Sequence, residues 1–289
     1  MNELPQTRPA VDPARSFDLV ADAYDRGRPS YPDDAVTQLL HGVRRTGHAV
    51  DVLELGAGTG KLTEQLLTHG CSVTATDPSE SMLSRLTRRA PGARVAAGTA
   101  EQVPVRARSV DLVVAAQSFH WFDAEAALHE VARVLRPGGQ LAVVWSSRDE
   151  RIPWVKRLGR LIGTPAQASD PTGTIDETGM FEAVERSTFR FWQPLDQDSL
   201  RNLVASRSNV AVMTGMERDR LLRKVDELYE EYGRGHDGML LPYITTVCRT
   251  TVLPWAVPEE TPAGRPSPDS RPAADVGGCD DDALLIDFR

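Results

Sequence analysis

The chain has 289 residues, 40% of them apolar, and a formal net charge of −8. That is enough apolar material for one large core or two small ones, and the acidic balance argues against nucleic acid as the main partner, because phosphate binding wants a basic face. No run approaches the ~18 apolar residues of a membrane span; the polar first twelve residues lack a signal-peptide core, and Cys71, Cys248 and Cys279 have no metal-ligand spacing, so a cytoplasmic protein with reduced thiols and no bound metal is expected.

In chain order, residues 1–15 read as disordered. Phe17 to Tyr24 has helical spacing, and Tyr24 to Pro32 is dense in aromatic, cationic and proline residues, with Gly27 and Pro29 interrupting any helix. Asp33 or Asp34 should cap a helix through Val36, Leu39, Leu40 and Val43. Residues 16–45 are thus expected to form an N-terminal cap.

Residues 50–55 form a short, mostly apolar run (Val50, Val52, Leu53, Leu55) with the acid Glu54 near its end, and are followed by glycines at 56, 58 and 60. Leu62, Leu66 and Leu67 then fall on one helical face, and Gly70 closes the segment. The pattern predicts a buried strand, a tight glycine turn and a helix. Glycine reaches positive φ without steric cost and lets a ligand approach the backbone. The G-x-G-x-x-G dinucleotide fingerprint does not close in either frame: its third glycine would fall at Lys61 or at Thr63. A second strand, Val73 to Asp77, ends in an acid 17 residues after Gly60. A carboxylate at such a tip can accept both ribose hydroxyls of a nucleoside.

Glu54-Leu55-Gly56-Ala57-Gly58-Thr59-Gly60 followed by Asp77 resembles the cofactor loop of the class I S-adenosylmethionine methyltransferases. The resemblance runs from about Tyr24 to Val252 and is strongest to the type 11 branch, which includes trans-aconitate and ubiquinone-type methyltransferases. It implies an α/β fold: a Rossmann-like, seven-stranded, mostly parallel sheet with helices on both faces and a helical lid. It also implies roles for named residues. Glu54 would sit near the methionine amino group, Gly56, Gly58 and Gly60 at the cofactor backbone, and Asp77 on the ribose. Tyr24 and Arg28 would approach the methionine carboxylate, and Met82 would pack on the adenine. Relatives carry Gly-Asp-Ala where this chain has Gly98-Thr99-Ala100, so Glu101, or backbone at Thr99 and Ala100, would serve the adenine amino group.

Beyond Asp77, a helix starts at Pro78-Ser79-Glu80, and Arg94 to Ala97 is a short third strand. Val110 to Ala116 is the fourth, ending in Gln117-Ser118-Phe119-His120. Ligands bind at strand C-termini in open parallel sheets, so Gln117 is a candidate cofactor contact. His120 reads three ways: as a general base, as a hydrogen-bond partner of the cofactor, or as a structural histidine beside Trp121. Ala124 to Leu135 is an amphipathic helix, Arg136 to Gly139 its terminator and Gln140 to Trp145 the fifth strand, with Trp145 and Ser146 candidates for the acceptor pocket. Helices are expected over 152–162, 198–212 and 217–232, loop over 163–179, and strands around 187–191 and over 241–253, the last inserted antiparallel beside the fifth as the resemblance implies. Residues 46–147 would bind the cofactor, and 148–253 would complete the sheet and form the acceptor lid. Ser206-Arg207-Ser208 and His236-Asp237 are candidate lid residues. Residues 254–289 contain six prolines, and 255–289 hold eight acids against three arginines, the signature of a disordered acidic tail.

The activity expected is methyl transfer from S-adenosylmethionine to a small organic acceptor. Two rivals compete with it: a non-catalytic binder of the same nucleoside acting as an interaction protein, and a nicotinamide-dependent oxidoreductase, against which the unclosed glycine fingerprint weighs.

Overall fold

A computed structural model describes residues 29–43, 49–163, 170–205, 207, 210, 213–233 and 238–257. The expectations for Tyr24, Arg28, Ser206, Ser208, His236, Asp237 and residues 1–28 and 258–289 lie outside them; residues 254–257, expected as the start of a disordered tail, instead form a 3-10 turn (Pro254–Ala256) and bury Val257 in the core. Among the described residues no helix is long and apolar enough to cross a membrane.

Seven strands form one sheet in the order β3-β2-β1-β4-β5-β7-β6. They are β1 (Asp51–Leu55), β2 (Ser72–Asp77), β3 (Arg94–Ala97), β4 (Val110–Ala116), β5 (Leu135–Arg148), β6 (Glu185–Leu195) and β7 (Met239–Thr251). The first five strands run parallel. β7 is antiparallel to both β5 and β6. A dinucleotide fold has the order 3-2-1-4-5-6 without this antiparallel insertion. β1 and β4 are nearly continuous apolar runs because helices cover both faces of the sheet. On one face α1 (Asp33–Leu40) and α2 (Lys61–Thr68) bury Val36, Leu39, Leu62 and Leu66 over Val52, Val114 and Val144. On the other, α4 (Ala124–Val134) and α6 (Thr172–Thr178) cover Leu53, Val113 and Val143. α3 (Glu80–Arg89) packs Leu86 near Ala75 at the β2 side.

Several expected boundaries shift for identifiable reasons. α1 has Pro32 at its N-cap and no side-chain cap; Asp33, expected as a cap, instead meets His69 at 2.8 Å. α4 stops at Val134, just before Arg136 to Gly139, and that tetrapeptide also forms a bulge inside β5, since the register jumps from Val110↔Leu135 to Leu112↔Gln140. The bulge sends Arg136 to Asp51 (3.0 Å) and to Asp111 (2.8 Å), whose own Oδ2 accepts the Asp51 amide at 3.0 Å. This clamp ties β1, β4 and β5 together at the end of the sheet opposite the glycine turn. Residues 172–178, expected as loop, form the single-core-residue helix α6, anchored by Ile175. β6 runs well past 187–191 at both ends because it is an edge strand with one solvent face. Its polar and exposed side chains mute the apolar signal, and an edge tolerates Pro194.

The remaining helices are α5 (Pro153–Ile162), α7 (Gln197–Ala205) and α8 (Gly215–Tyr232). They share a core of their own with the far ends of β6 and β7, built on Val155, Leu158, Leu203, Val225, Leu228 and Tyr243. A Thr214/Glu217 capping box fixes the start of α8.

Candidate active site

The C-terminal tips of β1, β2 and β4 bring most of the candidate residues to one place. β1 ends at Leu55 and the chain turns through three left-handed glycines, with φ of 64° at Gly56, 57° at Gly58 and 81° at Gly60. The sequence needs glycine here for two distinct reasons. A Cβ on Gly56 would lie 2.6 Å from Ser118 Cβ, and one on Gly60 would lie 2.8 Å from Leu86 Cγ. Among the described residues, Gly58 has no atom within 4 Å of where its Cβ would be. Gly56 and Gly60 therefore serve close packing, while Gly58 faces space that no described residue fills. Gly60 also caps α2 without any side-chain bond to the first-turn amides.

Asp77 closes the turn from the next strand. Its Oδ2 accepts the Gly58 amide at 2.8 Å and its Oδ1 accepts the Ser79 amide at 2.9 Å. These two bonds fix the orientation of the Asp77 carboxylate at the turn. Ser79 caps α3 by accepting the Met82 amide, which sets Met82, 5% exposed, in the first turn beyond Asp77.

Glu54 is 1% exposed. Its Oε2 lies 2.6 Å from the Thr63 hydroxyl on α2. Burial drives its pKa up to about 8; the Thr63 bond opposes that rise and the nearby negative charge of Asp77 adds to it. Two carboxyl groups at one turn, one of them held neutral by burial, form a site that a cationic ligand group would relieve. Thr63 was not among the candidates read from the sequence. The available signal was its position next to Leu62 on the buried face of α2, where a hydroxyl is unusual.

The third strand leads into Gly98, whose amide points to the Asp77 carbonyl at 3.4 Å. Thr99 is exposed and Ala100 buried. Glu101 Oε1 accepts the Asp123 amide at 2.9 Å, so this side chain braces the start of α4. At the β4 tip, Gln117 has φ of 59°, a conformation uncommon for a residue with a Cβ. It is held there by its amide on the Val144 carbonyl (2.8 Å) and its Nε2 on the Ser146 carbonyl (3.0 Å). The adjacent Ser118, also missed in the sequence, donates to the Leu55 carbonyl at 2.8 Å and so joins the tips of β1 and β4. His120 sits on a 3-10 turn with its ring centroid 4.8 Å from that of Trp121. A small open pocket here is lined by Gln117, Phe119, His120, Trp145 and Pro171. Among the described residues no group of three or more His, Cys, Asp or Glu is arranged to hold a metal ion.

The family model described as "Methyltransferase domain", of the type 11 group, matches residues 53–143, the stretch from β1 to β5 just described. An uncharacterized methyltransferase of Mycobacterium tuberculosis is 41% identical over 243 residues, covering 83% of this chain and 97% of that protein. The chain belongs to the class I methyltransferase family. A second methyltransferase relative, from Schizosaccharomyces pombe, is 30% identical over 228 residues, 77% of this chain and 90% of its own. Among solved structures, one from Anaeromyxobacter dehalogenans, provisionally classed as a type II methyltransferase, superposes with a TM-score of 0.58 at 23% identity, over 80% of this chain and 99% of that one. The phosphoethanolamine N-methyltransferase 2 of Haemonchus contortus, solved with S-adenosylhomocysteine, gives a TM-score of 0.51 at 15% identity, over 86% of this chain and 61% of its own. Those two likenesses concern the fold. In this methyltransferase, as the sheet order requires, the candidate site lies at strand tips and the acid-rich β1 and β2 ends flank the glycine turn.

Proposed function

We propose that this methyltransferase is a cytoplasmic enzyme that uses S-adenosylmethionine to methylate a small organic acceptor. The observation that carries the reading is the glycine turn with Glu54 and Asp77 converging on it from β1 and β2, and Gly58 open between them. When bound, the cofactor supplies a methyl group on a sulfonium sulfur. Glu54 would hold its amino group, the Gly56–Gly60 backbone its methionyl chain, Asp77 its ribose hydroxyls and Met82 its adenine face, with the Thr99–Glu101 segment at the adenine edge. The buried Glu54 carboxyl, neutral in the free protein near pH 7, would ionise against the ammonium. Outside the described residues, Tyr24 and Arg28 would complete the methionine end.

In-line displacement from a sulfonium needs no proton for the leaving thioether. The work of the chain is then positioning, which can supply roughly 7–11 kcal/mol of barrier reduction. Gln117, locked by two hydrogen bonds, gives the β4 tip the rigidity that positioning needs. His120 and Trp145 would line the acceptor side, with His120 placed to take a proton if the acceptor must lose one. The α5, α7 and α8 layer would act as the acceptor lid. Calorimetric titration with S-adenosylmethionine and S-adenosylhomocysteine, followed by transfer of a radiolabelled methyl to an acceptor panel, tests the reading. A folded wild-type protein that binds neither nucleoside would overturn it.

A further inference from the structure

The last residue of β5, Arg148, carries a side chain that is only 6% exposed. Among the described residues its Nε has no hydrogen-bond acceptor. Its Nη2 approaches Glu150 Oε1 at 3.4 Å, well beyond the 2.7–2.9 Å of a strong charge-assisted bond. Arg249, with a side chain 7% exposed, also has a bare Nε, but both ends of its fork are engaged, by the His41 carbonyl and by Glu185 at 2.7 Å. Asp149, next to Arg148, is taken by Arg151 Nε at 2.6 Å and also feels the charge of Arg190. Arg148 is thus a buried guanidinium whose nearest counter-charge is a long contact to a carboxylate 35% exposed. Burying a charge without close partners is costly, and buried polar groups are normally satisfied.

Its surroundings say what would satisfy it. Side chains two apart on a strand share a face, so Arg148 lies on the same face as Ser146 and Val144, the face that also carries Val52 and Glu54. Across the antiparallel ladder Ser146 meets Thr245 and Arg148 meets Tyr243. The Ser146 and Thr245 hydroxyls are 2.8 Å apart. Phe191 stacks on Tyr243 with ring centroids 5.1 Å apart and an 11° interplanar angle. This face therefore presents a hydroxyl pair, a guanidinium and an aromatic stack in succession, beneath the helical layer. The Ser146 carbonyl is the one that holds Gln117, which joins the patch to the candidate active site.

We propose that Arg148 anchors an oxyanion on the methyl acceptor, a carboxylate or a phosphate monoester, with Glu150 as a placeholder counter-charge that gives way when the acceptor enters. The proposal rests on the methyltransferase reading above. A planar guanidinium fork matches either anion in a two-point contact, and a lysine at the same place would not.

The test uses the full chain saturated with S-adenosylhomocysteine and three probes on one aromatic scaffold, chosen for the Phe191–Tyr243 stack: benzoate, phenyl phosphate and benzamide. Calorimetry should show benzoate or phenyl phosphate binding at least tenfold tighter than benzamide, and the favoured anion identifies the acceptor group. Arg148→Gln should abolish that preference while leaving S-adenosylhomocysteine affinity within twofold, and Arg148→Lys should restore only part of it. If Arg148→Gln does not fold, Glu150→Gln serves instead, with anion affinity expected to rise severalfold. Equal binding of anion and amide, binding of none of the three at millimolar concentration, or a preference that survives in Arg148→Gln or is unmoved in Glu150→Gln would overturn the proposal. Failure of the wild-type protein to bind S-adenosylhomocysteine is a separate result that strikes the methyltransferase reading; the probes are then titrated onto the free protein and read by the same criteria.

Discussion

The Thr63 hydroxyl stands 2.6 Å from Glu54 Oε2, and this bond joins α2 to β1 beneath the glycine turn. It opposes, without cancelling, the burial that raises the Glu54 pKa to about 8. The sign of the consequence follows. The folded protein keeps a proton that the unfolded chain gives up near the ordinary value of 4.5. Stability should therefore fall as pH rises between about 4.5 and about 8, and level off above that window. Glu54→Gln should flatten this profile and, at pH 9, gain on the order of 3 kcal/mol over wild type. Thermal denaturation at pH 5 and pH 9 checks it; a Glu54→Gln profile as steep as wild type would remove Glu54 as its source.

The same group should couple to the cofactor. If Glu54 ionises on meeting an ammonium, S-adenosylhomocysteine binding releases a proton near neutral pH, and affinity climbs as pH rises toward about 8. Calorimetry in buffers of different ionisation enthalpy measures that release. Glu54→Gln should bind at least tenfold more weakly and release none.

Asp77 orders the turn through the Gly58 amide, and its proposed partner is the cofactor's ribose. Asp77→Ala removes an acceptor from two backbone amides, a loss of about 1–3 kcal/mol where the donors become buried. Cofactor affinity should drop ~10–100-fold, and Asp77→Asn should recover part of it. A Kd unchanged in Asp77→Ala would remove this residue from the site.

Two glycines of one loop should behave differently. Gly56→Ala combines positive φ with a 2.6 Å approach to Ser118 Cβ, so urea denaturation should show a loss of about 2 kcal/mol or more. Gly58→Ala meets no atom of the described residues and should lose only about 1 kcal/mol from its left-handed backbone. Its larger effect should be on S-adenosylhomocysteine affinity, because the new methyl would enter the space proposed for the ligand.

At the opposite end of the sheet, Arg136 bridges Asp51 and the 2%-exposed Asp111. Arg136→Met leaves a buried carboxylate uncompensated and should destabilise by about 3–5 kcal/mol. Cofactor affinity of the folded fraction should stay within twofold, since the clamp lies a full strand length from the glycine turn.

The glycine turn and the strands that flank it were legible because their physics is local. A glycine at positive φ, an acid at a strand tip and an apolar run of strand length are properties of a few consecutive residues, and Glu54, Gly56, Gly58, Gly60 and Asp77 announce themselves that way. The tertiary structure alone decided which glycine serves packing and which does not, since Gly56 meets Ser118 just beyond β4 and Gly58 meets no described residue. It alone made Arg136 a clamp as well as part of a helix terminator, and supplied Thr63 and Ser118 as partners of β1. β6 and α6 were hardest to read: an edge strand with a solvent face and a helix with one core residue carry little periodic signal. Arg148 was invisible for a related reason. Its significance is a missing partner, and whether an arginine has one depends on three strands and a helix brought together from across a hundred residues.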